Sequence, residues 1–143
     1  PLTARRIGET GRMVVASPAY LAARGKPLTP DDLHDHNCLN FNFRRAEPVW
    51  PFIESGQARA LAVQGNIEAN NGETLVQLAL QGVGIARVGA FNVVADVASG
   101  RLVPLLEAFN PGDREPIHAV FAGGANMPAR VRVFIDYLVE RLR

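Results

Sequence analysis

A chain of 143 residues has the length of one ordinary domain and can bury a sizeable core; with 48% hydrophobic and 20% charged residues it is not a disordered polypeptide. Fifteen Lys and Arg against fourteen Asp and Glu leave a net charge of +1, which excludes a strong electrostatic pull on nucleic acid or an anionic membrane. The single cysteine, Cys38, excludes an internal disulfide and fits a reducing cytoplasm, and no apolar run approaches the ~20 residues of a membrane span or forms a signal core.

In chain order, Met13 to Ala16 is an apolar run of strand length. Ser17 followed by Pro18 predicts an N-cap and first helical residue, with Gly25 closing a short helix. Thr29-Pro30-Asp31-Asp32 repeats the device, with Asp32 three residues after the cap. Cys38 to Phe43 predicts a second strand, Pro48 to Gly56 an irregular stretch, and Leu61 to Ile67 a third strand. Asn70 with Glu73 has capping-box spacing, and Leu75, Leu78 and Ala79 share the face of a helix that Gly82 stops. Ile85 to Val88 predicts another strand, Phe91 to Ala98 a helix ending at Gly100, and Leu102–Leu106 and Ile117–Phe121 two further strands. Pro128 then opens a helix whose Val131, Phe134, Ile135, Leu138, Val139 and Leu142 recur at three- and four-residue steps. Alternation of strands and helices predicts an α/β layer structure with a largely parallel sheet.

Gly82-Val83-Gly84 invites a phosphate-loop reading, but these glycines follow a helix and precede a strand. A dinucleotide fingerprint needs the reverse order, and a phosphate loop needs a Gly-Lys-Ser/Thr ending. The glycines are therefore turn residues, and no cofactor is expected. His34, His36 and Cys38 alternate, yet a third and fourth ligand at metal-binding spacing are missing, so no metal site is expected. Ser17 lacks the surroundings of a nucleophile elbow, and Cys38 lies in an apolar strand that favours an inert thiol. With Asp31 and Asp32 offsetting a helix end, no acid, base or nucleophile constellation assembles, and the chain is not expected to be an enzyme.

In open α/β sheets, ligands sit beyond the carboxyl ends of parallel strands and at helix N-termini. Three places meet that description: Asn42-Phe43-Arg44 at one strand end, Asn71-Gly72-Glu73 at a helix start, and Arg87-Val88-Gly89 at another strand end. Arg44 and Arg45 fit either a solvated loop or a ligand contact. Arg87, inside an apolar strand, needs a neutralising partner, either a neighbouring carboxylate or an acidic ligand.

The order SPAYLAARGKPLTPDDLHDHNCLNF, Trp50-Pro51-Phe52, NNGETLVQLALQGVGIARV, ASGRLVPLL, and PIHAVF with PARVRVFIDYLVERL resembles LysR-type transcriptional regulators over essentially the whole chain. The matching part is their C-terminal effector-binding domain. The resemblance implies an α/β fold like the type II periplasmic binding proteins, a Rossmann-like three-layer lobe with a mostly parallel sheet and an antiparallel crossing strand. Two such lobes are joined by two crossing strands, with a small-molecule effector in the cleft. It implies that residues 1–11 end the first lobe, 12–116 form the second lobe, and 117–143 return as a strand and helix toward the first. DNA binding would lie in an N-terminal winged helix-turn-helix that nothing here resembles, in a cytoplasmic homo-oligomer with no membrane contact. Effector contacts carried over from the resemblance are Phe41, Asn42, Phe43, Arg44, Asn71 and Gly72. Where the family often has an apolar pair and proline, this chain has Arg87-Val88-Gly89, so Arg87, with Arg44, is expected to meet an effector carboxylate. Ser17 is expected to cap and not to touch ligand, because its strand runs against its neighbours. A solute-binding protein of a transporter shares the fold and is the alternative.

Overall fold

The computed structural model describes residues 2–42, 48–122 and 128–141. The chain divides into two compact units, one of residues 1–11 with 114–143 and the other of residues 12–113.

The first unit is a ribbon. Strand β1 (Leu2–Ala16) pairs through its first part, Leu2 to Gly11, antiparallel with a later strand at Arg114–Ala122, with a register shift between Arg6 and Gly8. The helix Ala129–Arg141 belongs to the same unit, and Arg5 donates to Asp136 at 2.7 Å. Its predicted apolar face is covered only in part. Ile135 is 5% exposed, whereas Phe134 is 53% exposed. A two-stranded ribbon offers too little area to cover a helix face about 100° wide.

The second unit carries the main core. From Arg12 onward β1 joins a sheet with β2 (Cys38–Phe41), β5 (Glu68–Ala69), β6 (Ile85–Gly89) and β7 (Val103–Leu105), in the order β5-β2-β6-β1-β7. β2 is parallel to β5 and β6, while β1 is antiparallel to β6 and β7. Thus β5, β2, β6 and β7 point one way and β1 the other. Alternation of side chains along each strand divides the core into two faces. Val14, Ala16, Cys38 and Ile85 join one apolar cluster with Tyr20, Leu33, Trp50 and Phe52. Val15, Leu39, Ala86 and Val88 join the other with Leu75, Val76, Ala79 and Leu102. Each fully buried Val, Leu, Ile or Phe side chain among these contributes roughly 1.5–3 kcal/mol.

The helices cover these faces as their caps direct. In α1 (Pro18–Arg24) Ser17 accepts from the Tyr20 amide at 3.1 Å. The Thr29 box is formed at the 3-10 turn Pro30–Asp35, where Asp32 accepts from the Leu28 and Thr29 amides. For α2 (Gly72–Leu80) the cap is Asn71 rather than the predicted Asn70, and Asn71 accepts from the Thr74 amide at 2.8 Å. Two adjacent asparagines make the capping position ambiguous by one residue, and the chain's exit from β5 decides it. At the other end Gly82 takes φ +78; its amide reaches the Ala79 carbonyl and that of Val83 the Leu78 carbonyl, a Schellman stop.

Four expectations change. Pro48 to Gly56 is not irregular: β3 (Val49–Glu54) and β4 (Gln57–Ala62) form a separate hairpin, turned by Ser55 and Gly56 at positive φ. Pro51 hides the strand from propensity rules, yet a two-stranded ribbon has free edges on which a missing N–H costs nothing. Trp50 and Phe52 alternate because both point into the core. The strand predicted over Leu61–Ile67 ends at Ala62, because Gly65 must cross the backbone of Cys38 closely: a β-carbon there would lie 2.0 Å from the Cys38 carbonyl oxygen. Phe91–Ala98 divides into a 3-10 turn, Ala90–Asn92, and a short helix α3, Val94–Ala98. The Arg114–Ala122 strand is β8, longer at its start than the predicted Ile117–Phe121, and the Ala129–Arg141 helix is α4; Leu142 lies outside the described residues.

Candidate functional site

All described candidate positions belong to the second unit: Phe41, Asn42, Asn71 and Gly72 lie where β2 ends and α2 begins, and Arg87 and Val88 lie near the end of β6, facing opposite sides of the sheet. Phe41 closes β2 and is half-buried, and the exposed Asn42 follows, its amide donating to the Ala69 carbonyl at 2.9 Å. Phe43 and Arg44, with Arg45, lie outside the described residues. Asn71 and Gly72 start α2 beside Phe41. A β-carbon on Gly72 would stand 3.8 Å from the tip of the Phe41 ring and 3.5 Å from the Asn92 amide nitrogen. The glycine therefore leaves the helix start open between an aromatic edge and a side-chain amide.

The Asn71 side chain is already engaged, since its oxygen takes the Thr74 amide and its nitrogen donates to Asn70. What Asn71 presents is the head of the helix, where backbone N–H groups and the positive end of the dipole favour an anion. Val88 is fully buried in the α2-side core.

Arg87 has a partner. Its side chain is 10% exposed, and Nη2 donates to Asp113 Oδ1 at 2.6 Å. Of the two partners left open by the sequence, the structure supplies the neighbouring carboxylate.

Three contributors were missed by sequence reasoning. Arg12 lies opposite Gly89 in the β1–β6 register; it donates to the Arg87 carbonyl at 3.1 Å and holds its guanidinium carbon 6.0 Å from the Phe41 ring centre, a cation–π distance. Asn92 follows the β6 end, and Asp113 ends a Pro-Gly-Asp turn. Arg12 could have been suspected as a charge at the head of the apolar run Met13–Ala16. Asn92 and Asp113 carry no local signal, because only folding across long sequence separations brings them here. Asn110, also unmarked in sequence, fastens the same turn by donating to the Arg12 carbonyl at 2.8 Å.

The other chemistry-bearing residues lie elsewhere. Cys38 is fully buried, and burial pushes its thiol up to about 12, so it stays protonated. His36 Nδ1 is 2.7 Å from the Tyr20 hydroxyl, which also accepts the Asn37 amide. Burial, with the Arg24 charge, lowers the His36 pKa below its ordinary value. Asp31 is held below the usual carboxylate range by its hydrogen bond to Arg59. Among the described residues no three His, Cys, Asp or Glu side chains group as a metal site. A depression of about 550 Å³ lined by His34, His36, Asn37 and Gln64 opens at the amino ends of the strands. It is larger than the one of about 370 Å³ beside Asn92 and Glu73. Size is a poor guide here, because Asn37 in the larger one is spent on Asn66 and the Val83 carbonyl.

A sheet in this order, crossed by one antiparallel strand and covered on both faces, defines a lobe of the type II periplasmic-binding-protein kind. The regulatory domain of CrgA, a LysR-type transcriptional regulator from Neisseria meningitidis, superposes with a TM-score of 0.86 at 34% identity, over 99% of this chain and 69% of that one. The regulatory domain of AphB from Vibrio vulnificus does so with a TM-score of 0.70 at 29% identity, over 98% of this chain and 69% of that one. In sequence, the chain is 36% identical to the regulator CrgA of Neisseria meningitidis serogroup C over 141 residues, 99% of this chain and 47% of that protein. It is 32% identical to the transcriptional activator AaeR of Escherichia coli over 143 aligned residues, 97% of this chain and 46% of that protein. The chain thus spans about half the length of the curated relatives it matches. Residues 1–143 match the LysR substrate binding domain, and the chain belongs to that family.

Proposed function

We propose that this chain is the effector-sensing part of a LysR-type transcriptional regulator and that it binds a small acidic metabolite at the carboxyl ends of β2 and β6. The observation that carries the reading is the meeting there of Arg12, Phe41 and the Gly72 helix start within one unit, with Arg12 bonded to the backbone carbonyl of Arg87. A guanidinium beside an aromatic ring, a helix head and a second guanidinium in an apolar strand together favour a compact anion with an apolar body. Under this reading Phe41, Asn42, Asn71 and Gly72 form its surroundings, Val88 supports them, and Arg87 meets its carboxylate; Phe43 and Arg44, outside the described residues, are contacts implied by the family resemblance alone. DNA contact, homo-oligomer formation and a cytoplasmic location belong to the whole regulator under this reading, with DNA bound through a winged helix-turn-helix outside this chain. The relatives matched are regulators by name, which favours this reading over a transporter's solute-binding protein or an enzyme.

Such a sensor performs no bond-making. An effector shifts the population of conformations only by its different affinity for them. Charge-assisted contacts to a carboxylate contribute roughly 1.5–3 kcal/mol each, enough to separate similar metabolites. Titration of the intact protein with a panel of small carboxylic acids is expected to show saturable binding that Arg87→Ala weakens at least tenfold (about 1.4 kcal/mol). Unchanged affinity for every acid rejects the role of Arg87.

A further inference from the structure

The ion pair between Arg87 and Asp113 has an uneven construction. The cation is fixed: it projects from an internal strand, its side chain is 10% exposed, and the register with Val14 locks its backbone. The anion is not. Asp113 is 45% exposed and ends a short turn in which Gly112, at φ +75, gives its amide to the Asn110 side chain at 2.8 Å. The pair is joined end-on, Nη2 to Oδ1, whereas a guanidinium can offer a carboxylate two parallel N–H groups. A poorly solvated cation cannot be left without an anion, but nothing in this geometry requires that anion to be Asp113.

We infer that Asp113 is a tethered competitor, a specificity-determining residue whose carboxylate holds the place on Arg87 that the carboxylate of an acidic ligand takes. The inference rests on the reading that the strand ends bind a small acid. An incoming carboxylate cannot sit beside Asp113 on one guanidinium without like-charge repulsion, so it replaces it. Because the anion belongs to the exposed turn, the exchange moves that turn and leaves the sheet as it is. Asn110, which bonds the Arg12 carbonyl and the Gly112 amide, keeps the displaced carboxylate nearby. An acid with one weak contact then loses to Asp113, and an acid that meets Arg87 with both oxygens wins.

The test is calorimetric titration of the intact protein with benzoate and with acetate, in the native sequence, in Asp113→Asn, and in Asp113→Asn combined with Arg87→Gln. The competitor predicts about tenfold tighter carboxylate binding in Asp113→Asn, and loss of that gain in the double variant. Equal or weaker binding in Asp113→Asn overturns the inference and leaves the acidic-ligand reading standing, as does a gain that survives Arg87→Gln. Folded variants, checked by their melting, that bind neither acid with Asp113 neutralised overturn both, because a vacated guanidinium that takes no carboxylate is not an anion site. Asp113→Ala serves in place of Asp113→Asn if the amide itself bonds Arg87, and the same outcomes apply.

Discussion

The two ends of the parallel strands make a useful contrast. At their amino ends, polar side chains are consumed by the fold: Asn37 bonds Asn66 through both amide atoms and the Val83 carbonyl, its own carbonyl takes the Ile85 amide, and Ser17 caps α1. Backbones there approach so closely that Gly65 has no room for a side chain. At the carboxyl ends, Arg12 is laid over Phe41, Gly72 leaves ordinary van der Waals space, and Arg87 is paired with an exposed carboxylate on a turn. One end is spent on stability. The other holds two arginines and an open helix start, although the larger depression lies at the first.

The contrast can be broken most forcefully at Gly65. Gly65→Ala must push the chain off Cys38 and is expected to cost about 3 kcal/mol, read as a fall in the urea midpoint. An unchanged midpoint refutes the close-packed crossing. Next comes Asn37→Ala, which abandons the Asn66 amide and the Val83 carbonyl and is expected to cost about 2 kcal/mol while leaving acid binding unaltered. At the opposite end, Asn71→Ala should cost only about 1 kcal/mol as a lost N-cap. Its larger effect should fall on acid binding, since a frayed first turn no longer presents its N–H groups; the two measurements on one variant separate the roles.

The smallest effect expected is a pH dependence at the amino end. His36 has a folded pKa below its ordinary 6.5, chiefly through burial, so in the window between the two values the unfolded chain binds more protons than the folded one. The stability associated with neutral His36 is therefore full above about 6.5 and is lost as pH falls toward the folded value. Unfolding midpoints at pH 7.5 and about 5.5 should differ in that direction, and His36→Gln should flatten the difference. An equal slope in the variant assigns the dependence to other groups.

Much of this architecture is legible without coordinates, for identifiable reasons. Ser17-Pro18, Thr29-Pro30 and Gly82 mark helix ends by short-range chemistry, and the apolar runs Met13–Ala16 and Ile85–Val88 mark strands that are buried on both faces. Where local rules failed, a longer-range fact intervened. The β3–β4 hairpin survives its proline because it stands outside the main sheet, and Asn71 outcompetes Asn70 because of where β5 delivers the chain. The candidate site was half legible. Phe41, Asn71, Gly72 and Arg87 announced themselves as strand ends and a helix start, whereas Arg12, Asn92 and Asp113 did not.

The amino-acid order by itself determined the alternation of elements, their caps and stops, the two-faced strands and the membership in the LysR substrate binding domain family. All of these are written in spacings of a few residues, where periodicity and capping act. Tertiary structure alone decided that Arg87 is answered by Asp113, and that Arg12 comes to lie on Phe41. Those partners are 26 and 29 residues apart, and no rule of local geometry reaches so far; only a finished sheet can set them side by side.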